Sequence, residues 1–123
     1  MERRSMASKW ESFGAHLEGA PGRLPVAVRR SIRARADGSA GDGGSAPADE
    51  SRGDAARSAA PPDDLAAFVD LVAERSYRIT EKNITMLSEA GRSDDEIFEA
   101  AIVAAYGAAD RRLRAARRCW EGR

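Results

Sequence analysis

Leu87-Ser88-Glu89-Ala90-Gly91-Arg92-Ser93-Asp94-Asp95-Glu96-Ile97 carries the punctuation of two helices. A glycine just past a helical run suits the left-handed residue that closes a helix, so Gly91 reads as a stop. Ser93 and Glu96 then form a capping box, each side chain satisfying an orphan amide of the next helix. Downstream, Asp94 to about Trp120 reads as one long helix. At 100° per residue Phe98, Ile102, Ala105, Ala109, Leu113, Ala116 and Trp120 make a continuous stripe, expected to serve the core of the subunit. Ala101, Ala104, Ala105, Ala108 and Ala109 let a neighbouring helix come close. Gly107 costs about 1 kcal/mol relative to Ala inside a helix, a cost that close backbone approach usually offsets.

Upstream, Thr80 is the expected N-cap of a shorter helix, with Ile84 and Leu87 inward and Met86 partly so. Before it, Pro61-Pro62-Asp63-Asp64 opens another: prolines suit the first turn, and carboxylates favour the positive end of the helix. Leu65, Phe68, Val72 and Ile79 share a face, widened by Val69 and Leu71. Residues 63–123 therefore read as an all-α domain, a small helical bundle.

Between Ala36 and Pro62 no residue is more apolar than alanine, and Asp37 to Ser45 is polar and glycine-rich. Such a stretch buries too little to offset its backbone entropy, so 36–62 reads as a disordered linker. Residues 1–35 form a weak N-terminal helical segment. Trp10, Phe13 and Leu17 share one helical face, interrupted by Gly14. Leu24, Val28 and Ile32 recur every four residues among Arg29, Arg30, Arg33 and Arg35. That piece is either a basic amphipathic helix for an anionic surface or a short helix docking on the C-terminal domain with its arginines in water. Three apolar residues are a thin membrane anchor, which favours docking.

The chain holds 20 basic and 20 acidic side chains. This balance argues against a protein that coats nucleic acid. Charge is nonetheless segregated: residues 1–35 carry net +5 and residues 36–64 net −5. A single cysteine, Cys119, excludes an intramolecular disulfide framework and suits a reducing cytosol. One cysteine and one histidine, His16, far apart in sequence, suggest no metal site, and no cofactor is implied. No segment approaches the roughly 20 apolar residues of a membrane span, and no apolar run follows the basic N-terminus. The expectation is a cytoplasmic protein without membrane partners.

Arg111, Arg114 and Arg118 lie within about a 60° arc of the long helix, joined by Arg112 and Arg117. They read as a holder for phosphate or an acidic partner, or as a solvated face suited to a helix C-terminus, which is favoured. Thr80–Val103 also has the outline of a helix-turn-helix. Its second helix opens on Asp94, Asp95 and Glu96, which repel DNA, so nucleic acid is not an expected partner. Cys119 lies beside Arg117, Arg118 and Trp120 but has no resolving cysteine, and an inert thiol is the favoured reading.

Phe68-Val69-Asp70-Leu71-Val72-Ala73, then Ser76-Tyr77-Arg78-Ile79-Thr80, then Leu87–Ile97 resembles the carboxymuconolactone decarboxylase and alkylhydroperoxidase D-like superfamily. There, a helix ends in Ala-Gly, a serine caps the next, and an acidic turn precedes an isoleucine. The alanine-rich Ala104–Leu113 stretch adds to the likeness, which covers roughly Leu65–Trp120. The resemblance implies an alkylhydroperoxidase D-like helical bundle completed by homo-oligomerisation.

Active peroxidase relatives carry a C-x-x-C pair with a histidine four residues after it. One thiolate attacks and the other resolves, while the histidine and an upstream glutamate move protons. Counted back from Ala90-Gly91, the cysteine positions fall on Ser76 and Ile79, the histidine on Asn83 and the glutamate near Asp64. None of the first three supplies the needed chemistry, so thiol peroxidase activity is not expected. Two functions follow. One is a non-redox helical module for oligomerisation or protein-partner binding. The other is a thiol-independent enzyme in which Glu74, Ser76, Tyr77, Arg78 and Asn83 line the residual pocket. Tyr77 and Glu74 would be its acid–base groups and Arg78 its carboxylate clamp. Side chains converging inward favour the enzyme, and side chains pointing outward favour the module.

Overall fold

The computed structural model describes residues 6–39 and 60–122. They form five α-helices: α1 Met6–Gly19, α2 Val26–Asp37, α3 Asp63–Arg75, α4 Glu81–Glu89 and α5 Asp94–Glu121. A single 3₁₀ turn, Ser76–Arg78, follows α3, and no strand occurs among the described residues.

Local chemistry sets the helix ends. Amides of Leu65 and Ala66 donate to the Pro62 carbonyl where α3 begins. Thr80 and Asn83 form a reciprocal capping box at the start of α4. Gly91, at φ 99°, closes α4. The Arg92 amide donates to the Leu87 carbonyl and the Gly91 amide to that of Ser88, the two bonds of a Schellman stop. At α5 the Glu96 amide donates to Ser93 Oγ at 3.1 Å and the Ser93 amide to Glu96 Oε1 at 3.2 Å. The stop at Gly91 and the caps at Thr80 and Ser93 thus match the sequence reading. Ile79, expected on the face of Leu65 and Phe68, lies beyond the end of α3.

One core joins both halves of the chain. Leu24, Ile32 and Ala36 from the N-terminal piece are buried with Leu65, Phe68, Val69 and Ala73 of α3, Leu87 of α4, and Ile97, Ala100, Val103, Ala104 and Ala108 of α5. The broadest helix–helix contact is α2 against α5. Gly107 explains its closeness: a Cβ there would lie 2.9 Å from both the Ala36 Cβ and the Arg33 carbonyl. Ala36 and Asp37, read as linker, are instead the last turn of α2. Within the rest of the expected linker, residues 40–59 lie outside the described residues.

α1 is held to α5 by aromatic packing. Tyr106 stacks on Trp10 with ring centroids 4.4 Å apart and meets Phe13 edge-on at 5.9 Å. Its hydroxyl donates to the Trp10 carbonyl, and Trp10 Nε1 donates to Asp110 at 2.8 Å. Gly14 makes this possible, because any side chain there would collide with the Tyr106 ring. Burial pushes the Tyr106 hydroxyl above its ordinary pKa.

Two expectations need correction. The arginines of α2 are not all in water. Arg29 is 4% exposed and donates from Nε to the Leu24 carbonyl and from Nη1 to that of Leu17, tying α1 to α2. Arg33 lies 5.1 Å over the Tyr106 ring and pairs with Glu18 at 3.2 Å. The second correction concerns α5. Its buried face is Ile97, Ala100, Val103, Ala104, Tyr106, Gly107 and Ala108. The stripe from Phe98 to Trp120 lies on the opposite side of the helix. Ala104 and Ala108, read as small residues that admit a neighbouring helix, are buried inside the subunit.

Candidate interaction surface

The side chains read as an acid–base set do not converge. Tyr77 is 80% exposed. Ser76 and Arg78 are exposed beside it on the 3₁₀ turn. Glu74 is turned away to accept from Arg111 at 2.7 Å, and Asn83 Oδ1 accepts the Thr80 amide at 2.8 Å as part of the α4 cap. Ile79 is half-buried against the core. Asp64, read near the position of a catalytic glutamate, accepts two hydrogen bonds from Arg92, from Nε at 2.7 Å and from Nη2 at 3.1 Å. That guanidinium holds the Asp64 carboxyl below its ordinary pKa. Cys119 is exposed near the far end of α5.

The arginine cluster is largely engaged. Arg111 pairs with Glu74, Arg112 donates to the Ala73 carbonyl, and Arg114 pairs with Asp110 at 3.3 Å. A recess of about 260 Å³ lies between Arg111, Arg114 and Arg118 and the end of α2 at Asp37, Gly38 and Ser39. Asp37 and the carbonyl end of α2 make that recess a poor anion holder. A second recess, of about 140 Å³, is lined by Leu17, Pro21, Arg29, Phe98, Glu99 and Ile102, among others. Glu99 closes it by accepting the amides of Arg23 and Leu24, each at 2.8 Å. Among the described residues no group of three or more potential metal ligands occurs.

What stands out is the outer face of α5. Phe98 is 63% exposed and Trp120 66%; Ala105 is exposed, and Ile102, Ala109, Leu113 and Ala116 are half-buried. Phe13, 50% exposed on α1, adds to the apolar surface. The stripe runs nearly the length of a 28-residue helix. Asp94, Asp95, Glu96 and Glu99 surround its start, and five arginines surround its end. Apolar side chains scattered singly over a surface are ordinary, but a continuous row of them marks an interaction site.

The chain matches no family model, no curated protein and no solved structure. Its function is therefore argued from this surface. Sequence periodicity found the stripe, but assigned it to the wrong side of the helix. The second apolar face, built on Ile97, Val103 and Tyr106, was masked by the small residues between them. No helix among the described residues is long and apolar enough to cross a membrane.

Proposed function

We propose that this chain is a non-redox member of the carboxymuconolactone decarboxylase and alkylhydroperoxidase D-like superfamily that works as a helical oligomerisation module. The observation that carries this reading is the apolar row on the outer face of α5, with Phe98 and Trp120 both more than 60% exposed. An apolar row with an exposed aromatic ring at each end is costly in water and is stabilised once covered. The superfamily assignment rests on the Leu87–Ile97 junction and the helices around it. The absence of chemistry rests on Ser76 and Ile79 at the cysteine positions and on the outward Ser76, Tyr77 and Arg78. No observation favours the thiol-independent enzyme over the module.

Light scattering from low to high micromolar chain tests the reading. A mass above one chain that rises with concentration is expected. Phe98→Asp with Trp120→Asp should return the mass to one chain with helicity retained. A wild type that stays at the mass of one chain throughout would overturn it.

A further inference from the structure

We infer that the α5 stripe binds a second copy of itself in an antiparallel, twofold arrangement centred on Ala109. The inference rests on the oligomerisation reading and names the partner and the register.

The first support is a symmetry in the sequence. Phe98 and Trp120 lie eleven residues either side of Ala109, Ile102 and Ala116 seven, and Ala105 and Leu113 four. A twofold axis at Ala109 therefore sets each large side chain of the row opposite a different residue of the partner's row. Phe98 meets Trp120, Ile102 meets Ala116, and Leu113 meets Ala105. Large opposite small at the inner positions is what close packing of two helices needs. Alanine at the crossing point lets the backbones approach.

Charge selects the direction. At 100° per residue, Asp95, Glu99 and Arg117 lie along one border of the stripe. In an antiparallel pair that border faces itself. Glu99 then stands about two residues, or roughly 3 Å along the axis, from Arg117 of the second copy. Neither side chain forms an ion pair among the described residues of its own chain: Glu99 accepts only backbone amides, and Arg117 is half-buried. A parallel pair would instead set the acidic starts of α5 side by side and the arginine-rich ends side by side, and such like-charge juxtaposition opposes it.

Cysteine placement in the full chain tests the register, with Cys119→Ser as background. Ala109→Cys should cross-link to itself through a short bis-maleimide in most of the protein. Phe98→Cys alone should not, because two antiparallel copies hold these positions roughly 33 Å apart. Mixed with Trp120→Cys, it should give the mixed dimer. Single-site Phe98→Asp should raise the dimer Kd by roughly 30-fold, as for loss of a covered aromatic contact repeated at both ends of the pair, with circular dichroism unchanged. Self-linking of Phe98→Cys, or failure of Ala109→Cys in a protein of oligomeric mass, would overturn the register and leave the oligomerisation reading standing. A protein of single-chain mass would overturn both and leave the stripe to a different protein partner.

Discussion

Arg92 does more for this fold than its place in a turn suggests. It follows Gly91 directly, so the stop of α4 aims its side chain at the starts of α3 and α5 together. There it takes Asp64 in a two-pronged bond and reaches Glu96 Oε2 at 3.0 Å. Hydrogen bonding to Arg92 holds the Asp64 carboxyl below its ordinary pKa. The Ser93 amide and then Arg92 do the same for Glu96. A carboxyl lowered in the folded state stabilises the fold above its unfolded pKa, near 4 on the ordinary scale, and loses that contribution as pH falls through the folded value. Thermal midpoints should therefore be level above about pH 5 and drop as pH falls below about 4. Arg92→Met should cost about 1 kcal/mol at neutral pH, since the group is mostly shielded and the pairing two-pronged. The gap between wild type and variant should narrow in acid. A gap that stays constant down to pH 2 would show that Arg92 acts through packing alone.

At the scale of elements, α5 shows what sequence can and cannot settle. Its start was readable because the Ser93 and Glu96 exchange spans four residues and needs no other part of the chain. The end of α4 was readable because only a left-handed residue closes a helix that way, and Gly91 takes that conformation at φ 99°. Which face turns inward was not readable, because α5 has two apolar faces and periodicity does not rank them. α2 makes the choice by packing its last turn on Gly107. The need for a close neighbour at Gly107 was legible, but the neighbour's identity was not. Likewise Asn83 was read as a lining residue of a residual pocket, and only the cap geometry shows its oxygen occupied by the Thr80 amide. Gly107→Val should thus push α2 and α5 apart and lower stability by about 2 kcal/mol in urea unfolding, the usual scale of overpacking. Gly19→Ala, where an added Cβ meets nothing within 4 Å, is the matched control and should cost nothing. Equal effects at the two glycines would mean that backbone entropy, not the α2–α5 contact, governs Gly107.

Across the whole molecule, the two halves of the chain depend on each other. Read from sequence, the C-terminal helices looked like a domain and the N-terminal piece an accessory, because a long polar stretch separates them. The core divides differently. Leu24 and Ile32 are among the largest fully buried side chains of the described residues, alongside Leu65, Val69 and Val103. Removing α1 and α2 would bare Gly107 on the inner face of α5 and would take the ring partners from Tyr106. A remnant of some sixty residues has little other core to draw on. A fragment beginning at Ala60 should therefore lose most of its helical circular dichroism and its cooperative melt. A peptide spanning residues 6–39, added in trans, should restore both, because α2 supplies packing rather than chain continuity. The same peptide with Ile32→Asp should fail, since an unpaired carboxylate at a fully buried position is strongly destabilising. If the Ala60 fragment instead melts cooperatively with full helicity by itself, α3 to α5 form an autonomous unit, and the contact of α2 with Gly107 is a docking event rather than part of the fold.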